Sequence, residues 1–174
     1  MAPAFPGQDC PEPEFIDRAL DNFERWLRAD SFAEIHAIDA DGESRIFNLF
    51  NPPNEPSRSF VIRDVTLTNG SAATGGAVDM VRHNLELRRV RITNSTANSG
   101  GCLETITGAG NSVVVADSHL QGCTANEIGG GWRASGVGPT RLVRSTISDN
   151  QAEGSGGAIT TGADVPLSII NSTI

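Results

Sequence analysis

Phe60-Val61-Ile62-Arg63-Asp64-Val65-Thr66-Leu67, with Gly75-Gly76-Ala77-Val78 following it, is a unit that returns at Leu85–Ile92 and Gly100–Leu103 and recurs to the end of the chain. Its apolar anchors are Leu67, Ile92, Leu120, Ile147 and Ile174, spaced 25, 28, 27 and 27 residues apart. Five positions before each anchor stands another aliphatic residue: Ile62, Leu87, Val115, Leu142 and Ile169. A Gly-Gly pair follows each of the first four anchors, at Gly75-Gly76, Gly100-Gly101, Gly129-Gly130 and Gly156-Gly157. A small residue and then a large apolar one come next: Ala77-Val78, Cys102-Leu103, Gly131-Trp132 and Ala158-Ile159. A period of this size marks stacked repeats, none of which can bury its apolar face alone. Within the unit the apolar residues alternate, which is strand periodicity, and Asn, Gly, Ser and Thr clusters separate the short strands. No window holds a crossover helix. A coil of short strands that repeats every ~25 residues, with rungs about 4.8 Å apart, is a parallel β-helix.

The Gly-Gly-Ala-Ile element, cleanest at Gly156-Gly157-Ala158-Ile159, resembles the repeats of pectin-lyase-like right-handed β-helix proteins. It is most similar to the passenger repeats of polymorphic outer-membrane proteins, although the Phe-x-x-Asn motif of that family is absent. The resemblance runs from Phe60 to the end of the chain. It implies a right-handed coil and a place on the cell surface or outside the cell; right-handed parallel connections are also the general rule.

Composition narrows the function classes. The 174 residues carry a net charge of −8, nineteen glycines and no tyrosine, and all thirteen basic residues are arginine. An acidic chain without a basic run predicts no nucleic-acid partner. The absence of lysine removes a Walker A loop and Schiff-base chemistry. No apolar run approaches the roughly 18 residues of a membrane span, so no membrane insertion is expected. Met1-Ala2-Pro3-Ala4-Phe5-Pro6 has neither the charged nor the apolar part of a leader. Cys10, Cys102 and Cys123 are an odd count. Cys102 follows a glycine pair while Cys123 lies in the turn after an anchor. Because these places are not equivalent in the rung, the sequence predicts small buried apolar side chains rather than a bridge.

Residues 1–58 read as an amino-terminal cap and 59–174 as the repeats. The cap begins with a Pro-rich lead-in and continues, from Glu14 to about Arg28, as an amphipathic helix with Phe15, Ile16, Leu20, Phe23 and Trp26 on one face. Such a helix would cover the open end of the coil. Phe32–Ile38 reads as a strand, Asp39-Ala40-Asp41-Gly42 as a turn lacking the further oxygen ligands of a calcium loop, and Arg45–Asn51 as an irregular first rung. The last rung, Leu167–Ile174, stops at its anchor. That predicts either a fragment of a longer protein or a homo-oligomer formed through the uncapped rung.

Stacking aligns the outward residues as well. Three positions before each anchor stand Asp64, Arg89, Asp117, Arg144 and Asn171, of which the first four form an alternating acid–base ladder that fixes register. Thr66 and Thr68 flank the first anchor as an ice-binding face would require, but Arg91 and His119 interrupt the next rungs. Asn69, Asn94, Gly122 and Asp149 form a column of turn residues. His36 and His83 lack metal-ligand spacing, and no nucleophile elbow, zinc motif or dinucleotide fingerprint is present. The expected function is therefore non-catalytic: a rigid stalk or adhesive module of a secreted or cell-surface protein, contacting polysaccharide or a surface partner, with no cofactor. The competing expectation is a polysaccharide lyase or glycoside hydrolase. Its groove would draw on Asp64, Arg89, Asp117, His119 and Arg144, with Asp117 as acid or calcium ligand and Arg89 or Arg144 as base.

Overall fold

The computed structural model describes residues 37–52 and 54–174, and among these there is no helix. The expected helix over residues 14–28, the lead-in and Cys10 lie outside the described residues. The described residues form one compact unit, an all-β parallel solenoid of about five turns. The turns stack into three sheets, the middle ones contributing to all of them. Sheet A holds β1 (Ala37–Asp39), β3 (Ser59–Thr68), β5 (Asn84–Thr93), β8 (Val113–Ala116), β9 (His119–Gln121), β12 (Thr140–Val143), β13 (Thr146–Ser148) and β16 (Leu167–Ile170). Sheet B stacks β2 (Phe47–Phe50), β4 (Val78–Val81), β7 (Leu103–Thr107), β11 (Trp132–Gly136) and β15 (Ile159–Thr161). The narrow sheet C stacks β6 (Thr96–Ser99), β10 (Thr124–Ile128) and β14 (Gln151–Ala152).

All pairings are parallel, and the registers are those the repeat dictates. Ile62, Leu87, Val115, Leu142 and Ile169 face one another in sequence along sheet A. Leu67, Ile92, Leu120 and Ile147 form the anchor column, and Val78, Leu103, Trp132 and Ile159 the column of sheet B. Except for Ile169, which is 46% exposed on the last strand, these residues constitute the core, each fully buried aliphatic contributing about 2 kcal/mol relative to exposure. Ile62 and Ile159 are only partly buried, packed against the core from its rims. β1 reaches only Thr66–Thr68 of β3, so the Ile62 end of that strand has no further strand beside it. Trp132 is wholly enclosed, and its indole N–H donates to Thr105 Oγ1 of the neighbouring rung at 3.0 Å. That bond makes the largest core residue affordable in a coil otherwise filled with small ones.

The glycine pairs have two distinct physical reasons. Gly100 has φ 64°, the left-handed region that carries the chain around the corner from sheet C to sheet B. Gly101 has an ordinary φ, but a Cβ there would sit 2.4 Å from Gly130 O and 2.6 Å from Thr124 O. The coil is pinched at this corner until neighbouring backbones touch, and only hydrogen fits.

The same pinch corrects the expectation for the cysteines. Cys102 and Cys123 form a disulfide, with Cα atoms 5.4 Å apart and both residues fully enclosed. They are not equivalent in the rung, but equivalence governs only stacking along the axis. Across the narrow lobe under sheet C, the inward residue after Gly101 meets the inward residue before Thr124. Replacing both cysteines by alanine opens a closed segment with a sequence separation of 21. The chain-entropy cost is about 3 kcal/mol. Denaturant unfolding is expected to show that loss, reproduced in the wild type by reductant that reaches the bond. Gly101→Ala is expected to destabilise by more than about 2 kcal/mol. Gly42→Ala, whose Cβ meets nothing within 4 Å at φ 74°, should lose only about 1 kcal/mol.

Candidate functional site

The outward ladder is also the line along which sheet A bends. Asp64, Arg89, Asp117, Arg144 and Asn171 have φ between 45° and 59°, one left-handed residue per rung. A residue with a side chain costs about 1 kcal/mol in this region, less for Asp and Asn than for Arg. β3 and β5 run through the bend as single strands, whereas in the next two rungs it divides the sheet A segment, so that β8 and β9, or β12 and β13, are halves of one interrupted strand. The interruption leaves backbone N–H groups to be satisfied. Ser118, Ser145 and Ser172, each directly after a bend residue, do this. Ser118 Oγ accepts from Val90 N at 3.0 Å, Ser145 Oγ from Ser118 N at 3.0 Å, and Ser172 Oγ from Ser145 N at 3.1 Å. Each hydroxyl donates in turn to a carbonyl two residues back, at Ala116, Val143 and Ile170. This serine ladder recurs two positions before the anchors of the later rungs, a signal present in the sequence.

The bend folds the exterior of sheet A into an open trough of about 520 Å³. It brings together all five residues that the repeat offered for chemistry: Asp64, Arg89, Asp117, His119 and Arg144, with Val65, Thr66, Val90, Arg91 and Ser118 between them. Arg91, His119 and Thr146 stand side by side in register beyond the bend. Arg91 donates to Gln121 Oε1 at 2.9 Å, and Gln121 passes the connection to Asp149 Oδ2 at 2.9 Å.

The charged ladder is not continuous. It is broken into two closed forks. Arg89 donates Nε and NH2 to the two oxygens of Asp64 at 2.5 and 2.8 Å. Arg144 grips Asp117 in the same way at 2.6 and 2.8 Å. The guanidinium hydrogen bonds hold both carboxyls below the usual aspartate range, Asp64 through Arg89 and Asp117 through Arg144. Reciprocally, Asp64 holds Arg89 above its ordinary value, and Asp117 does the same for Arg144. Both directions run against general acid work by Asp117 and general base work by either arginine. Among the described residues no three His, Cys, Asp or Glu side chains group in a way that could hold a metal ion.

The sheet A strands that carry the trough differ in sign from the chain as a whole. Residues 59–68, 84–93, 113–121 and 140–148 contain six arginines (63, 88, 89, 91, 141, 144) and three acids (64, 86, 117), a balance of +3 against −8 for the full sequence. Glu86 pairs with Arg88, while Arg63, Arg91 and Arg141 stand exposed on this face. Comparison with known protein families, curated proteins and solved structures yields no match.

Because folding lowers both aspartates, their contribution to stability is complete above the unfolded carboxyl range and is lost as pH falls through the folded values. Carboxyl-carbon NMR titration should therefore place both midpoints below that of an ordinary aspartate. Arg144→Gln should return Asp117 toward the ordinary value while leaving Asp64 in place. The stability gap between Arg144→Gln and the wild type should close in strong acid.

Proposed function

We propose that the chain is a right-handed parallel β-helix module of a secreted or cell-surface protein, related in kind to the passenger repeats its Gly-Gly-Ala-Ile element resembles. In this reading it acts without catalysis, as a rigid adhesive stalk whose trough on sheet A contacts polysaccharide. One observation carries the reading: the trough is an open, arginine-rich strip four rungs long whose two aspartates are each closed bidentately on an arginine. Groups tied to one another in this way are poor proton carriers but good fixed donors. A guanidinium using Nε and NH2 on an aspartate keeps its remaining N–H groups for a ligand oxygen. Arg89 and Arg144 present such donors two rungs, or about 10 Å, apart along the trough, which suits an extended chain molecule better than a compact one. The surplus of arginine on the sheet A strands around the trough favours sugars that bear carboxylate or sulfate over neutral glucans.

The enclosed Cys102–Cys123 disulfide supports the secreted or surface placement, since such bonds persist in oxidising compartments. The opposing reading, a lyase or hydrolase of the same fold, draws support from the convergence of Asp64, Arg89, Asp117, His119 and Arg144 on one trough.

Binding and turnover are separable in one experiment. The protein is incubated with polygalacturonate, alginate and a neutral glucan, with and without calcium. Retention is measured alongside unsaturated products and new reducing ends. The proposal expects retention on the acidic chains, weakened several-fold by Arg91→Ala or Arg144→Ala and by added salt, with no products. Product formation that disappears in Asp117→Ala would establish the enzymatic reading in its place.

A further inference from the structure

On the outer face of sheet B lies a second charged cluster, unlike the trough in being closed to solvent. Glu104 alternates with the inward residues Leu103 and Thr105, so its side chain leaves the coil, yet it is only 2% exposed. Its register partner on β4 is Asp79, which is 8% exposed. Each carboxylate has one oxygen served. Asp79 Oδ2 accepts from Thr74 Oγ1 at 2.8 Å and lies 3.2 Å from Arg45 NH2. Glu104 Oε1 is paired with Arg133 of β11. The other oxygens, Asp79 Oδ1 and Glu104 Oε2, are buried without a hydrogen-bond partner, and so is Ser99 Oγ at the adjoining corner. Along the column, the charged groups facing Glu104 are therefore Asp79 and Arg45 on one side and Arg133 on the other. Asn48 and Thr160 continue it uncharged.

Two bare carboxylate oxygens from directly opposed residues cannot be left so. Like charges across a strand pair repel, and a buried acceptor without a donor loses its hydration for nothing. Three bare oxygens have only the Ser99 hydroxyl hydrogen among them. One more hydrogen completes the set. We infer that Glu104 and Asp79 share a proton, carried on Glu104 Oε2 and donated to Asp79 Oδ1, so that a single hydrogen bond ties two rungs of sheet B.

The proton is taken from and returned to solvent. Burial pushes the Glu104 carboxyl up and the Asp79 charge adds to this, against the pull of Ser99 and Arg133. A carboxyl raised by folding contributes stability that is complete below its unfolded value and is lost as pH rises through the folded one. Sheet B is therefore fastened in mild acid and loosened as the pair becomes two facing carboxylates, the opposite sense to the aspartates of the trough.

Glu104→Gln tests this, because its amide places a permanent donor where the proton would be and keeps an acceptor for Arg133. Thermal melts are followed from mild acid to mild alkali. The wild-type Tm is expected to fall, relative to Glu104→Gln, by about 4 °C across that range, the scale of a tenfold change in folding equilibrium for a chain of this length. Carboxyl-carbon NMR should place the Glu104 midpoint above that of an ordinary glutamate. Parallel profiles for the two proteins, or an ordinary midpoint, would overturn the inference. So would calcium that raises the wild-type Tm near neutrality and not that of Glu104→Gln, since the bare oxygens would then be a cation site. If Glu104→Gln does not fold, Asp79→Asn carries the test: removing the Asp79 charge must lower the Glu104 midpoint, and an unchanged midpoint refutes the shared proton.

Discussion

Backbone contact between neighbouring rungs at the second glycine of the first three pairs is the constraint on which the rest of the molecule depends. At Gly76, Gly101 and Gly130 the carbonyl oxygen of the next rung's glycine lies 2.3 to 2.5 Å from where a Cβ would stand. That approach fixes how narrow the coil is under sheet C. It also leaves no freedom of register, since a one-residue slip would drive a side chain into a carbonyl and turn the inward columns outward. The disulfide, the enclosed Trp132 and the stacking of Val78, Leu103 and Ile159 all follow from a cross-section held to that width.

A coil so narrow needs sharp corners, and the chain makes them with single left-handed residues rather than with long loops. At the corner into sheet B that residue is the first glycine of each pair, directly before the one at which backbones touch. Where the side chain can project outward, as at the bend in sheet A, it is Asp, Arg or Asn. Each corner interrupts a ladder and leaves N–H groups to be satisfied, and small hydroxyl side chains answer this from the next rung. Ser118, Ser145 and Ser172 do so at the bend, and Ser95 does so for Gly70 N at 3.1 Å. The polar residues inside this solenoid are thus part of its backbone accounting.

Charge is used in three environments with three consequences. Exposed on the bend, Asp64 and Asp117 meet arginines in full forks, and hydrogen bonding pulls their carboxyls down. Enclosed on sheet B, Glu104 meets another acid, and burial pushes its carboxyl up. Over sheet A as a whole, arginines outnumber acids on a chain that is acidic overall. Residue type decides none of this; the environment given by the rung position does.

What the sequence by itself determined was everything that repeats along the axis. The parallel stacking, the three inward columns and the meeting of Asp64, Arg89, Asp117 and Arg144 on one line were legible, because a solenoid converts a period in sequence into adjacency in space. The charged column at Asp79, Glu104 and Arg133, four residues after each first glycine, was equally periodic, and so was the serine column; both could have been read from the same alignment. Contacts across the section could not. Cys102 reaches Cys123 because two different corners converge on a pinched lobe, and no spacing along the chain encodes the width of that lobe. The division of the acid–base ladder into two forks likewise depends on which way each left-handed bend turns its side chain. A period specifies neighbours one rung away, and only the tertiary fold sets distances across the coil and the direction in which a side chain leaves it.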